Sequence, residues 1–470
     1  MRAPIKKIFT FDPFEKKEER QIHQVQNLIK GEWTKELKEN EEILDPISGE
    51  VFLRVPNTTD FSEYIKNLDR CPKSGLHNPI KNPDRYLMLG EVSRNASRIL
   101  KEKSVEQYFC KLIQRVMPKS DIQCLGEVEV TRVFLENFSG DNVRFLARSF
   151  SNPGNYLGQE TSGYRWPFGS VCIIAPFNFP LEIPVLQVMG ELVKRSKNQI
   201  RLLQFTGSKE VAQRLSLETF GKIKIEDAGF DGKIIGPDYD PKWAKHVAWQ
   251  CDEDAYNASG QKCSAQSFLF VHKNWEEDLL PRLKELASKR KLENLDIGPI
   301  LTWTNHQITE HIDCLLTIPG SKVLFGGKKL LNNSIPPIYG SFQPTALEIP
   351  IDKILGDNFK KITKEVFGPF QIIVVYEDKN MQIVKKTLEN ISQNLTAAVV
   401  SNDVVFQQEI LASTVNGTTY SGMKARTTGA PQNHWFGPSG DPRSAGIGTP
   451  EAIISTWSSH REIIKDVGPL

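Results

Sequence analysis

Apolar residues recur at three- and four-residue spacing from about Arg85 to Arg148, in "RYLMLGEVSRNASRILKE" and "QYFCKLIQRV". This spacing predicts a helical lead-in. The next stretch, "SNPGNYLGQETSGYRWPFG", is rich in Gly, Pro, Asn and Ser and predicts a hairpin or loop that runs into a strand. Beyond Gly169 the texture changes to short β-branched runs: "VCIIA", "RLLQFTGS", "KIKIED", "SFLFVH", "QIIVVY" and "TAAVV". Helix-like segments separate them, which predicts βαβ units, a mostly parallel sheet and hence an α/β fold. Between the third and fourth runs, Trp243, Val247, Cys251 and Ala255 follow at four-residue steps as one stripe of a helix, with Gly260 as its natural stop. Cys263 then falls in a helix-to-strand loop, the kind of place where a scaffold presents a reactive group.

The 470 residues suffice for about three domain-sized units with large buried cores. Lys and Arg number 59 against 57 Asp and Glu, a formal charge of +2, which leaves no electrostatic footprint for nucleic acid or an anionic membrane. The cysteines (Cys71, Cys110, Cys124, Cys172, Cys251, Cys263, Cys314) are odd in number and scattered. They show neither metal-ligand spacing nor a disulfide framework, so no metal is expected and a reducing compartment fits. No apolar run approaches the roughly 18 residues a spanning helix needs. The N-terminus begins basic but meets acids at Asp12 and Glu15 and lacks Ser, a poor match to a transit peptide. No internal repeat or linker-like tract stands out.

Five short stretches can carry chemistry. Cys263 in "SGQKCSAQ" follows a glycine and precedes small residues, leaving room around the sulfur; read alone it is equally a small buried hydrophobe. Asn178 in "APFNFPLE" follows a strand where α/β folds bind ligands; it can donate to an oxyanion, with the Cys263 backbone N–H as second donor, or simply shape a turn beside Pro180. Glu226 in "IKIEDAGF" has Asp227 beside it, which favours a raised pKa if both are close and partly buried; the plainer reading is a solvated strand-end acid pair. Gly207 and Ser208 lie between a strand and a helix start, a phosphate seat or an ordinary N-cap. Glu365 in "KEVFGPFQ" reads in isolation as a surface acid.

In this order, "PFNFP", "FTGS", "IEDAG", "GQKCSA" and "EVFGPF" resemble the motif series of the NAD(P)-dependent aldehyde dehydrogenase superfamily. Longer stretches, among them "CPKSGLHNP", "AWQCDEDAYNASGQKCSAQS" and "RTTGAPQNHWFGPSGDPRSAGIGTPEA", are similar to the plant-type 1-pyrroline-5-carboxylate dehydrogenases, from roughly Gly31 to the C-terminus. The resemblance implies that Cys263 is the nucleophile that forms a hemithioacetal with the aldehyde, Asn178 the oxyanion-hole amide, and Glu226 the base that hydrolyses the thioester left after hydride transfer to NAD. It assigns Gly207, Ser208, Glu365, Phe177 and Phe367 to the cofactor, and Ser264, Ser439 and Gly440 to the substrate carboxylate. It further implies glutamate semialdehyde as the substrate, a homo-oligomer and a mitochondrial location, otherwise cytoplasmic. Its expected division is a helical region with a shortened cofactor domain over 1–240, including an oligomerisation hairpin at 150–168, a catalytic domain over 241–430, and a segment over 431–470 that returns to the cofactor and oligomerisation region.

One interval departs from that pattern. Only 28 residues separate Asn178 from Gly207, whereas members of the family have roughly 45 more, over one βαβ unit of about 30. The missing piece carries the lysine that binds the adenosine ribose in the family, and Lys194, Arg195 and Lys197 stand in the wrong context to replace it. Two expectations follow: a dehydrogenase, favoured by the intact Asn178, Glu226 and Cys263; or a cofactor-crippled form, non-catalytic partner or residual esterase, favoured by the short interval.

Overall fold

The computed structural model describes residues 12–14, 22–34, 39–68, 78, 80–192, 200–392, 394–429 and 434–467. Cys71, Lys194, Arg195 and Lys197 lie outside them. The helical lead-in forms three α-helices, α1 (Asp84–Leu100), α2 (Lys103–Val116) and α3 (Asp121–Asn137), then 3-10 turns over Gly140–Ala147. Their apolar stripes supply Leu89, Ile113, Val128, Phe134 and Leu135 to one core, which also takes Leu186 and Trp457 from later elements. The Gly/Pro-rich stretch is a hairpin of β1 (Arg148–Pro153) and β2 (Gln159–Pro167).

A small parallel sheet follows, built from β3 (Val171–Ile174), helix α4 (Glu182–Leu192), β4 (Leu202–Thr206), helix α5 (Lys209–Glu218) and β5 (Ile223–Glu226), with strand order β3-β4-β5. Its register sets Val171 against Leu202 and Ile223 against Leu203. The outer edge of β5 is covered by the C-terminal segment, because the Ile225 N–H donates to the Arg443 carbonyl and the Ala445 N–H to the Ile225 carbonyl, both at 2.8 Å. On the β3 side no further strand pairs among the described residues. Ile174 in β3, Val188 in α4 and Ile200 ahead of β4 are exposed, apolar surface of the kind a packed neighbour normally covers.

The larger sheet has seven strands. In chain order they are β6 (Asp231–Ile235), β7 (Gln266–His272), β8 (Lys322–Phe325), β9 (Thr345–Glu348), β10 (Phe370–Tyr376), β11 (Thr396–Val400) and β12 (Thr418–Ser421). Their spatial order is β8-β9-β10-β7-β6-β11-β12, parallel except for the β8–β9 edge. The apolar runs of its central strands make sense here, because a parallel sheet covered on both faces has no polar side. Ile234, Phe268, Phe270, Ile372 and Val399 enter one core, while Ile235, Leu269, Val271, Ile373 and Val400 enter the other. Strand β6 precedes residue 241 yet belongs to this sheet, so the two parallel sheets part between Glu226 and Asp231.

Helix α6 (Pro241–Tyr256) begins where the Asp240 side chain accepts from the Lys242 N–H and Pro241 takes the first turn. Val247, Cys251 and Ala255 of the expected stripe are buried and Trp243 partly so. The expected stop at Gly260 is corrected: the helix ends at Tyr256, four residues earlier. Asn257 leaves helical geometry, and Ala258, Ser259 and Gly260 take left-handed backbone with φ of 53°, 56° and 67°. Near the C-terminus, helix α7 (Pro450–Trp457) leads into β13 (Ser458–Asp466), which pairs antiparallel with β2 from Ser458 opposite Pro167 to Asp466 opposite Gln159.

Candidate active site

Three loops leave the carboxyl ends of the small parallel sheet and meet the loop ahead of β7. Asn178 follows β3, Gly207 and Ser208 follow β4, and Glu226 closes β5. Ligands of open α/β sheets bind at such ends. The Gly207 N–H donates to the Glu226 carbonyl at 3.1 Å, tying the second loop to the third.

Cys263 sits in a turn closed by the Ala265 N–H and the Lys262 carbonyl. The turn is clamped from below. Gln261 donates from Nε2 to the Pro299 carbonyl at 2.9 Å and accepts at Oε1 from the Leu301 N–H at 2.8 Å, and the Ser259 hydroxyl accepts from the Gly298 N–H at 2.7 Å. These bonds hold two non-glycine residues in left-handed geometry. At Gly260 a Cβ would overlap the Gly368 carbonyl oxygen. Gly260→Ala is therefore expected to cost about 1–3 kcal/mol from backbone strain, with a further cost from that overlap, read as a lowered melting temperature.

Asn178 is 3% exposed, and its Nδ2 donates to the Gln261 carbonyl at 3.1 Å, two residues before the thiol. Its other amide hydrogen has no acceptor among the described residues. The Cys263 sulfur is half-buried against Ala228, Leu395 and Phe436 and lies within electrostatic reach of the Glu226 carboxylate. Amide, thiol and carboxyl thus converge. Glu226 is 9% exposed, which overturns the solvated reading of this acid. Burial first and Asp227 next push its carboxyl up to about 8. The thiol is raised well above its usual value, chiefly by burial and then by the charges of Glu226, Asp231 and Glu365, so it rests protonated.

Glu365 is half-buried rather than a surface acid, and burial, then Glu210 and Asp227, raise it to about 7. It reaches over Gly229, where a Cβ would strike its carboxylate. The Phe177 and Phe367 rings meet edge to face at 5.9 Å, joining the Asn178 loop to the Glu365 loop. Gly207 and Ser208 are exposed at the start of α5; the Ser208 hydroxyl makes no capping bond, and a Cβ on Gly207 would press on the Phe205 ring at 2.6 Å. Uncapped helix amides beside a glycine suit a phosphate, and Glu365 suits ribose hydroxyls, so these residues fit a dinucleotide.

Ser264 is buried next to Cys263. Ser439 is half-buried, with its N–H on the Asn394 carbonyl at 3.1 Å, and Gly440 is exposed with φ 81°. Phe436 of the same segment packs beside Cys263, but neither Ser439 nor Gly440 hydrogen-bonds Ser264 among the described residues. Among those residues no His/Cys/Asp/Glu group is placed to hold a metal, and no helix is long and apolar enough to cross a membrane.

Fold and site together define a class. The family described as "Aldehyde dehydrogenase family" matches residues 187–438, and the chain belongs to it. Over 498 aligned positions it is 51% identical to delta-1-pyrroline-5-carboxylate dehydrogenase 12A1, mitochondrial, of Arabidopsis thaliana, covering 95% of this chain and 89% of the relative. Since 95% of 470 residues is about 447, about 51 of those positions have no counterpart here, a shortfall of the size expected from the short interval. Among solved structures, aldehyde dehydrogenase 21 from Physcomitrella patens, in complex with the reaction product succinate, superposes with a TM-score of 0.78 at 15% identity, over 96% of this chain and 100% of that one. Betaine aldehyde dehydrogenase from Staphylococcus aureus, in complex with NAD+, gives 0.76 at 17%, over 94% and 95%. The aldehyde dehydrogenase fold is thereby established.

The sequence reading passed over two buried charges. Lys119 and Glu127 form an ion pair at 2.6 Å beneath the Asn178 loop. Glu127 carried a signal, because it falls on the apolar stripe of α3 with Cys124, Val128 and Thr131.

Proposed function

We propose that this protein oxidises L-glutamate 5-semialdehyde, the open form of 1-pyrroline-5-carboxylate, to L-glutamate with NAD, the second step of proline breakdown. The observation that carries the reading is the convergence of the Asn178 amide, the Cys263 thiol and the Glu226 carboxyl. Identity with the Arabidopsis dehydrogenase supports the choice of substrate. Cys263 gives up its proton to solvent water as the sulfur bonds to the aldehyde carbon, while Asn178 Nδ2 and the Cys263 N–H donate to the oxygen that gains charge. NAD, when bound, supplies the hydride acceptor that converts this adduct into a thioester. Glu226 then takes a proton from the water that attacks the thioester carbon, and Cys263 departs with the acid product released.

In this scheme Gly207, Ser208, Glu365, Phe177 and Phe367 hold the cofactor, and Ser264 with the Ser439–Gly440 loop holds the substrate carboxylate. The domains run through the small sheet to about residue 229 and through the large sheet from Asp231 to about 430, with 431–470 returning. The β1–β2 hairpin and β13 serve a homo-oligomer, and the location is mitochondrial, following the relative's name.

A base must be deprotonated to act. With Glu226 at about 8, thioester hydrolysis is expected to rise with pH and level off above about 8, and Glu226→Gln should erase that inflection. The three-stranded sheet favours a second reading, a chain that hydrolyses esters at Cys263 but does not reduce NAD. Following NADH absorbance with 1-pyrroline-5-carboxylate, beside hydrolysis of an activated ester, separates the two. Saturable NADH formation is the expected result; ester hydrolysis with no NADH from folded protein would establish the second.

A further inference from the structure

Lys119 and Glu127 are 1% and 2% exposed. Burying such a pair returns little net stability against its hydrophobic equivalent, so its contacts must say what it does. Lys119 lies between α2 and α3, its own carbonyl held by Gln114 Nε2 at 3.2 Å. From there its ammonium donates to Glu127 Oε2 and, at 3.1 Å, to the backbone carbonyl of Asn178, and lies 4.4 Å from the centre of the Phe179 ring. Glu127 Oε1 accepts from the N–H groups of Leu181 and Glu182 at 2.8 and 3.1 Å. Apart from each other, every partner these two side chains have among the described residues lies within residues 178–182. One end of that pentapeptide is held by its carbonyl and the other by its amides, and the Asn178 side chain then reaches the Gln261 carbonyl beside Cys263.

We propose that Lys119 and Glu127 are positioning residues: the pair fixes the backbone of residues 178–182 so that the Asn178 amide faces the carbonyl attacked by Cys263. The inference rests on the oxyanion role given to Asn178 above. Acylation of Cys263 by an activated ester needs no cofactor and reads that geometry alone.

The test is the Lys119→Met/Glu127→Gln double variant, which removes both charges together and keeps an acceptor for the Leu181 and Glu182 amides. It is made in the wild-type and in the Asn178→Ala background, with melting curves for each protein. Deleting one oxyanion donor costs roughly 100- to 1,000-fold in rate, and the double variant is expected to slow acylation about 10- to 100-fold, with KM for the ester within about twofold. In the Asn178→Ala background it should slow acylation no further, because the pair acts through that amide. Equal loss in both backgrounds, or no loss in the first, overturns the proposal. Full-rate acylation by Asn178→Ala alone would instead sink the oxyanion reading. Should the double variant not fold, Lys119→Arg keeps the charge against Glu127 while its planar head displaces the donor from the Asn178 carbonyl. A folded Lys119→Arg enzyme should acylate at least about fivefold more slowly, and wild-type acylation by it overturns the proposal.

Discussion

Cys263→Ala should abolish aldehyde oxidation and ester hydrolysis together, each by at least about ten-thousand-fold, because both need the same sulfur to form a bond to a carbonyl carbon. Five other cysteines are described. Cys110, Cys124 and Cys251 are buried, with thiols pushed up to about 11, 12 and 11 by burial. The substitution removes a half-buried side chain beside Ala228, Leu395 and Phe436, so the melting temperature should hardly move. Steady-state assays of both reactions, beside a melting curve, check it. Retained ester hydrolysis would place that chemistry on another residue.

Glu226→Ala should separate the two halves of the reaction. After burial, the Glu226 charge is what most raises the Cys263 pKa, so removing the carboxyl leaves a thiol that ionises more readily and acylation persists. Loss of the water-activating base should slow thioester release about 100- to 10,000-fold. Acyl-enzyme then accumulates and is visible as a mass increment on the peptide bearing Cys263. A variant that loses acylation as severely as turnover would contradict the assignment, showing that the carboxyl is needed to deprotonate the sulfur rather than water.

Much of this architecture was legible in the sequence. Each of the six β-branched runs contains a strand of the structure, and in "SFLFVH", "QIIVVY" and "TAAVV" the continuous apolar stretch suits a parallel sheet covered on both faces. The helix ahead of Cys263 was legible from its stripe, but its end was not. Gly260 looks like the stop, yet the left-handed turn starts at Ala258 and is held by Ser259 and Gly298, 39 residues apart. Local pattern cannot see such a bond. The acids Glu226 and Glu365 read as solvated for the same reason. What buries them is the approach of loops from two different sheets, and with burial come their raised pKa values. Lys119 and Glu127 escaped for a related reason: the Lys119 contact to Asn178 spans 59 positions, and only the placing of Glu127 on an apolar stripe hinted at it.

The short interval remains the sharpest departure from the family. It leaves the small sheet with three strands and β3 unpaired on its outer side among the described residues, while every side chain proposed for the nicotinamide end is present. The most direct measurement is the NADH formed when Glu226→Ala enzyme is mixed rapidly with NAD and 1-pyrroline-5-carboxylate. One equivalent per chain, followed by a halt, is the predicted result, since hydride transfer precedes the step that Glu226 serves. No NADH from a folded protein would show that this shortened chain does not couple Cys263 to NAD, and continued turnover would show that another group hydrolyses the thioester.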